Sequence, residues 1–147
     1  MIDITIKKYN DLSLNELYGL LQLRVEVFCV EQECVYQDID GKDPKALHVI
    51  GTKEGNIVAY ARLLKSGDYF NIASISRVVV AKNERQHKYG YDIMNASIKA
   101  VQEQFNETAI KVSAQSYLRK FYNNLGFKEV GEEYLEDGIP HIAMIRT

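Results

Sequence analysis

The sequence Ser76-Arg-Val-Val-Val-Ala-Lys-Asn-Glu-Arg-Gln-His-Lys-Tyr-Gly-Tyr-Asp-Ile-Met94 joins an apolar strand to a helix through a polar turn. Its valines at positions 78–80 are β-branched and favour a strand. The apolar pair at 93–94 begins a stripe with helical spacing. Main-chain N–H groups at such a strand-to-helix turn lack partners and add to the helix dipole. The turn is therefore predicted to bind phosphate groups.

The bulk composition indicates one globular domain covering residues 1–147. The chain has 147 residues, of which 46% are hydrophobic and 26% charged, with a formal net charge of -2. This balance suggests no nucleic-acid or membrane partner, and no apolar run approaches the roughly 18 residues of a membrane span. The N-terminus lacks the pattern of a signal peptide, so we expect a cytoplasmic protein. Cys29 and Cys34 are expected to be free thiols, and no metal site is predicted.

The first half of the chain predicts one strand, one helix, an acidic loop and a strand hairpin. Isoleucines at 2, 4 and 6 alternate as in a strand. The pair Ser13 and Glu16 forms a capping box before a helix expected to run to about Cys29. Its apolar stripe is predicted at Leu14, Leu17, Tyr18, Leu21, Val25 and Phe28. Residues 31–46 are expected to form a loop or a broken short helix, followed by strands at 47–52 and 57–64.

The second half predicts strands alternating with two helices. The strands are expected at 72–81, 109–114, 127–134 and 141–145. A helix is expected through positions 93–105, and a short helix at 118–125 is stopped by Gly126. With no repeat or linker, these elements predict one compact α/β domain.

The polar turn resembles a known phosphate loop. The order Arg85-x-x-Lys88-x-Gly90 is similar to the acyl-CoA pyrophosphate loop of the GCN5-related N-acetyltransferases, or GNAT family, written Gln/Arg-x-x-Gly-x-Gly/Ala. The resemblance implies that acetyl-CoA is the cosubstrate. It assigns the loop residues Arg85, Gln86, His87, Lys88, Tyr89, Gly90 and Tyr91 to its binding. Lys88 replaces the family's first glycine, so either its charge substitutes for close backbone approach or CoA binds weakly.

A second segment resembles the same family. Phe121-Tyr122-x-x-x-Gly126-Phe127 is similar to the GNAT pattern in which the tyrosine protonates the departing CoA thiolate. The alternative is that Tyr122 is a buried aromatic whose hydroxyl has a structural partner.

The resemblance also implies a place for the pantetheine arm of CoA. In the GNAT fold, the strands corresponding to residues 75–81 and 109–115 splay apart, and the pantetheine arm pairs with the free strand edge. The residues that this implies for cofactor binding are Val78, Val79, Val80, Gln115 and Phe121. A backbone N–H near Val78 or Val79 would stabilise the thioester oxygen.

Further motifs are similar to the ElaA-type subfamily over nearly the whole chain. They lie at residues 23–43 with His48, at Tyr60-Ala-Arg62-Leu, at Arg77-Val-Val-Val and at Asp137-Gly-Ile-Pro-His141. The resemblance implies a single-domain mixed α/β (α+β) fold with a mostly antiparallel, V-shaped sheet flanked by helices. It also implies acetyl transfer to a primary amine by direct attack in a ternary complex, by a monomer or homodimer.

The general base is left open among three residues. Removal of a proton from the amine requires a base, and the candidates are Glu31, His48 and His141. Each has a structural alternative: Glu31 could cap N–H groups after the first helix, His48 could be a satisfied strand residue, and His141 could orient the last hairpin.

An acidic run suggests a charge preference for the acceptor. The run contains Glu31, Glu33, Asp38, Asp40 and Asp43. It is either a solvated loop or a mouth that attracts a cationic amine. Two rival functions stay open, a non-catalytic acyl-CoA-binding module and an acyltransferase with another donor or acceptor, such as a lactone-forming synthase.

Overall fold

The computed structural model describes residues 2–147 and contains seven strands and three α-helices in that range. The strands are β1 (Asp3–Lys8), β2 (Leu47–Lys53), β3 (Asn56–Leu64), β4 (Ala73–Val80), β5 (Ile110–Gln115), β6 (Lys128–Glu136) and β7 (Ile139–Arg146). The helices are α1 (Leu14–Val25), α2 (Tyr89–Gln104) and α3 (Arg119–Asn124). The predicted order of elements is confirmed, with end points that shift by a few residues.

One sheet in the order β1-β2-β3-β4-β5-β7-β6 runs through the molecule. Every neighbouring pair is antiparallel except β4 and β5, which are parallel. These two strands pair only at Ala73 with Ile110 and at Ser74 with Lys111, and they then diverge. The predicted mostly antiparallel, V-shaped sheet is therefore confirmed.

Helices cover the sheet on both faces. On one face, α1 packs on β3 and β4 through Leu20 and Leu23, and Val27, just after the helix, joins the same cluster. On the other face, α2 packs on β1–β4 through a larger core that includes Ile93 and Met94. Burial of this apolar surface from both sides fixes the sheet in place.

The predicted apolar stripe of the first helix was only partly right, because Leu21 and Phe28 pack against the core but the most buried residues lie elsewhere. Leu14 is 85% exposed and Tyr18 is 74% exposed, whereas Leu20, Leu23 and Arg24 are buried. The helix carries leucines around much of its circumference, so spacing alone could not select the buried face. The capping box is confirmed, because Ser13 Oγ accepts from the Glu16 N–H and Glu16 accepts from the Ser13 N–H.

The last part of the first helix is widened. A π-helical turn, Glu26–Glu31, continues α1 past the predicted end at Cys29. Turns of this kind are often found at functional sites. The following segment is a loop with one short 3₁₀ turn, Asp43–Lys45, as predicted.

Strand β4 contains a bulge in its second half. Tyr60 pairs with Val79 and Arg62 pairs with Ser76, so β4 has one extra residue opposite Ala61. Within the bulge, Arg77 has a φ of 53°. This left-handed conformation is uncommon for a non-glycine residue and marks a strained position. The bulge increases the local twist and helps β4 to separate from β5.

Candidate active site

A cleft of about 810 Å³ lies where β4 and β5 separate. Its lining includes eleven of the predicted site residues: Val78, Val79, Val80, Arg85, Lys88, Gly90, Tyr91, Gln115, Phe121, Tyr122 and His141. Three stretches that are distant in sequence, residues 78–91, residues 115–122 and His141, therefore meet in one cavity. Within residues 2–147, no group of three or more His, Cys, Asp or Glu side chains could hold a metal ion. No helix in the same range is long and apolar enough to cross a membrane.

Three predicted loop residues lie outside this cleft. Gln86 and His87 are exposed and do not contribute to its lining. Tyr89 is 4% exposed and packs with the core under α2. The reason is geometric: successive residues of a helical turn face different directions, so only some of a loop's side chains reach the cleft.

The edge of β4 that faces the cleft carries main-chain polar groups. The Ala81 N–H donates to the Val58 carbonyl at 2.8 Å, towards β3. Because main-chain groups alternate along a strand, those of Val80 point away from β3. Arg85 Nε donates to the Val80 carbonyl at 3.1 Å, in agreement with this direction. The cleft thus exposes a strand edge to which an extended ligand could add.

The phosphate loop ends at an uncapped helix. A 3₁₀ segment, Lys82–His87, leads to Lys88, which has φ 60° and ψ 31°. No side chain caps the N-terminus of α2. Lys88 therefore adopts the left-handed conformation that glycine would take more easily. Its side chain is exposed and has no ion-pair partner in the described chain.

Gly90 has a packing role at the first turn of α2. A Cβ atom there would lie 3.3 Å from two ring carbons of Phe121. The Phe121 ring also contacts Tyr91, with ring centroids 4.8 Å apart. The absent side chain allows α2 to begin close to the segment that carries Tyr122.

Tyr122 lies on α3 and lines the cleft. It is 6% exposed, and its ring packs edge-on against Phe121 and Phe127. Within residues 2–147 its hydroxyl makes no hydrogen bond, so the alternative of a structurally satisfied hydroxyl finds no support. Burial raises the pKa of Tyr122, which keeps the hydroxyl protonated and able to donate at neutral pH.

His48 is not positioned to act as the general base. It is 0% exposed and does not line the cleft. Its Nε2 lies 3.0 Å from the Asp43 carbonyl, which can only accept, so Nε2 carries the proton. Its Nδ1 then accepts from the Tyr60 hydroxyl at 2.6 Å. Burial lowers the pKa of His48, and the satisfied strand histidine is the interpretation that the structure supports.

The Glu31 carboxylate is paired with a side chain of the phosphate loop. Arg85 donates to both of its carboxylate oxygens, at 2.6 and 2.9 Å. The hydrogen bond from Arg85 lowers the pKa of Glu31, which makes the carboxylate a weaker base. Glu31 also does not line the cleft. The prediction that it serves as a base is therefore not supported by its geometry.

His141 is the candidate base that faces the cleft. It is 6% exposed, on β7, beside Gln115 of β5 in the register. Its Nδ1 donates to the Ile139 carbonyl at 2.7 Å, and its Nε2 lies 3.4 Å from a Glu136 carboxylate oxygen. With Nδ1 fixed as the donor, the lone pair of the neutral ring lies on Nε2.

The three aspartates of the acidic run are folded inward, whereas Glu31 and Glu33 are exposed. Arg24 of α1 donates to Asp38 at 2.9 Å and to Asp43 at 2.7 Å. Arg62 of β3 donates to both oxygens of Asp40, at 2.8 and 3.0 Å. Both arginines are 0% exposed. Since these aspartates neutralise buried cations, they cannot form a free acidic surface.

Arg77 joins the same network from the bulge of β4. Its Nε lies 2.8 Å from Asp38 Oδ1, at an angle that makes an ion pair without a hydrogen bond. Its Nη2 donates to Asp40 at 3.3 Å. The three arginines and three aspartates thus balance in charge. Its three aspartates therefore form neither a solvated loop nor an acidic mouth, so they give no support to the prediction of a cationic acceptor.

Sequence reasoning missed this Arg–Asp network, although a signal was present. Arg24 interrupts the buried face of α1, and Arg62 stands inside the apolar strand β3. A buried arginine requires acidic partners. The acidic run was the densest supply of carboxylates in the chain, so the two features could have been connected.

Comparison with known proteins agrees with the fold and the cleft. Residues 9–147 match the family described as acetyltransferase (GNAT) domain. The chain is 43% identical over 148 residues to Protein ElaA of Escherichia coli strain K12, covering 99% of this chain and 97% of that protein. The crystal structure of Escherichia coli ElaA has a TM-score of 0.93 and 42% identity, over 100% of both chains. That of an acyl-CoA N-acyltransferase from Pseudomonas aeruginosa has a TM-score of 0.93 and 41% identity, over 99% of each chain.

The splayed sheet, the phosphate-type loop and these structural matches define an acyltransferase fold that uses acyl-CoA. The chain belongs to the GNAT family of acetyltransferases and, within it, to the ElaA-type group.

Proposed function

We propose that this protein transfers an acetyl group from acetyl-CoA to a primary amine by direct attack in a ternary complex. The observation that carries the proposal is the convergence of three features in one cleft. They are the open edge of β4, the uncapped N-terminus of α2 beside Lys88, and the Tyr122 hydroxyl, which makes no hydrogen bond within residues 2–147.

Donor binding would use the main chain more than side chains. The pantetheine arm would lie along β4, where the Val80 main-chain groups face the cleft. The pyrophosphate would lie against the first turn of α2, which no side chain caps and where the helix dipole favours negative charge. The exposed ammonium of Lys88 would add a charge-assisted contact.

The bulge of β4 suits stabilisation of the thioester oxygen. Val78 follows Arg77 in the bulge, lines the cleft and has no register partner on β3 within the described strands. A main-chain N–H left out of the ladder can donate to the oxygen as negative charge develops on it. We therefore favour Val78 over Val79, since Val79 remains paired with Tyr60.

His141 and Tyr122 would handle the two proton transfers. His141 Nε2 would accept the proton of the attacking amine, directly or through one water. The Tyr122 hydroxyl would donate to the sulfur as the C–S bond breaks, which produces free CoA and the acetylated amine. Both side chains line the same cleft, on β7 and α3.

Steady-state turnover of acetyl-CoA with a panel of amines tests the proposal. Tyr122→Phe should lower kcat by about 10²- to 10⁴-fold while CoA affinity changes little. Tyr117→Phe is the matched control, because Tyr117 also lines the cleft but is 72% exposed. Normal turnover of Tyr122→Phe would remove the tyrosine from the mechanism. His141→Gln in the same assay should lower kcat more than it raises KM, and unchanged kcat would remove the histidine.

CoA binding separates the rival functions. If calorimetry shows CoA binding and no amine is acetylated, the chain is a binding module. If neither CoA nor acetyl-CoA binds, the proposed function is wrong.

A further inference from the structure

Two side-chain contacts cross the open end of the cleft. Gln32 and Gln115 exchange two amide hydrogen bonds, at 3.0 and 3.2 Å, which join the end of the π-helical turn to the end of β5. The neighbouring Glu31 pairs with Arg85, and Arg85 Nε binds the Val80 carbonyl at the end of β4. Residues Glu31 and Gln32 thus connect the two arms of the V.

These contacts occupy groups that the donor would need. Arg85 donates to the Val80 carbonyl much as the N–H of an added strand would. Its guanidinium is neutralised by Glu31 with near-parallel, bidentate geometry, the same geometry that it would use for a phosphate. Gln115, a cleft residue on β5, has both of its amide groups bound by Gln32.

We infer that Glu31 and Gln32 form a strap across the cleft that acyl-CoA must release when it binds. The inference rests on the proposed function, since it takes CoA as the ligand of the cleft. The pyrophosphate takes Arg85 from Glu31, which also frees the Val80 carbonyl, and the pantetheine arm separates Gln115 from Gln32. Glu31 and the pyrophosphate of CoA therefore compete for the same guanidinium, that of Arg85.

If Glu31 competes with CoA, removing its charge should tighten CoA binding, whereas the loss of a binding contact would weaken it. Glu31→Gln removes the competing charge and keeps the side-chain size, so the Kd for CoA should fall by about three- to tenfold. The matched control is Glu84→Gln, which removes one carboxylate from the segment that carries Arg85. Glu84 pairs with Lys53 at 2.9 Å and does not line the cleft, so its Kd should stay within about twofold of the unmodified protein.

A double variant assigns the effect to Arg85. In an Arg85→Gln background, Glu31→Gln should no longer tighten CoA binding, because the contested guanidinium is absent. Calorimetry with CoA measures all of these constants on folded protein. If CoA binds the unmodified protein and Glu31→Gln binds equally or more weakly, the strap is wrong. An equal gain in Glu84→Gln would overturn it too, since that would be a general charge effect.

Hydrogen exchange provides an independent measurement of strap release. Saturating CoA should raise the exchange rates of main-chain amides in residues 26–34, whereas simple shielding by a ligand would lower them. Lower or unchanged rates in this segment would contradict release. Failure of the unmodified protein to bind CoA at all would instead overturn the proposed function.

Discussion

The acidic segment at residues 31–43 and the phosphate loop at residues 82–91 are both charged connections beside the same cleft, but they use their charges differently. In the acidic segment, Asp38 and Asp43 are at most 5% exposed and bind buried arginines. In the phosphate loop, Lys88 is exposed and has no ion-pair partner within residues 2–147. The same kinds of residue thus stabilise the fold on one side and remain available for a ligand on the other.

Partner location explains the difference. The arginines that neutralise the acidic segment come from α1, β3 and β4, where packing buries Arg24 and Arg62 completely and leaves Arg77 only 17% exposed. The phosphate loop lies at the start of a helix that no side chain caps, where the helix dipole already favours an anion from outside the chain. Charge in a sequence therefore indicates a ligand site only when no buried partner accounts for it.

The largest expected effect is on stability. Asp43→Asn removes the carboxylate that binds both Arg24, at 2.7 Å, and Arg62, at 3.1 Å. Because it leaves buried cations under-compensated, the free energy of unfolding should fall by about 3 kcal/mol. Denaturant unfolding measures the loss. The control Glu84→Gln, which breaks a part-exposed pair, should cost less than about 1 kcal/mol, and equal losses would contradict the distinction between the two segments.

Acid should destabilise the protein in two stages. Burial lowers the pKa of His48 below its ordinary 6.5. As the pH falls below 6.5, His48 is therefore protonated in the unfolded chain before it is protonated in the folded chain. Stability from this group is present above pH 6.5 and is lost as pH falls through the lowered pKa. Burial acts to raise the pKa of Asp40 and of Asp43, but their arginine partners outweigh it. The pKa of Asp40, bound by Arg62, and that of Asp43, bound by Arg24, both lie below the ordinary 3.8. Their contribution is complete above about pH 5 and declines below pH 4.

Unfolding free energies from pH 8 to pH 3 test this order. The slope should reach at most about 1.4 kcal/mol per pH unit for each proton. His48→Gln should flatten the dependence of the unfolding free energy on pH between pH 7 and pH 5. Asp43→Asn should make the unfolding free energy fall less steeply below pH 4. A His48→Gln curve that still declines between pH 7 and pH 5 would assign the first stage to another group.

A change of ligand affinity is expected from the phosphate loop. Lys88→Glu should weaken CoA binding at least tenfold, about 1.4 kcal/mol, because it reverses a charge beside the uncapped turn of α2. Lys99→Glu is the control, since Lys99 is exposed on the same helix and does not line the cleft. Calorimetry at fixed salt compares the two. Similar Kd values for Lys88→Glu and the unmodified protein would remove Lys88 from the site.

Local patterns predicted the fold and the main parts of the cleft. The turn before α2 and the segment around Tyr122 could be located because each is a continuous sequence with its own spacing. The V-shaped sheet followed from the resemblance that these segments carry. Contacts between distant elements could not be predicted in this way.

The failures share that physical cause. His48 lies on a strand whose first five residues are all buried, so alternation could not show that it faces away from the cleft. Glu31 was interpreted without its partner Arg85, which is 54 positions away. A residue's role depends on which groups surround it, and long-range packing decides that.

The smallest expected effect comes from restoring the family glycine. Lys88 has a φ of 60°, a conformation that costs a non-glycine residue about 1–2 kcal/mol, whereas glycine adopts it freely. Glycine also increases the freedom of the unfolded chain, which offsets part of this gain. The net effect of Lys88→Gly should therefore be a stabilisation of about 0.5–1 kcal/mol. CoA binding should stay within about threefold, because closer main-chain approach offsets the lost ammonium. Lys82→Gly is the control at an ordinary φ and should destabilise. Equal losses of stability in both variants would show that Lys88 is not strained, and a tenfold loss of CoA affinity in Lys88→Gly alone would show that the charge cannot be replaced.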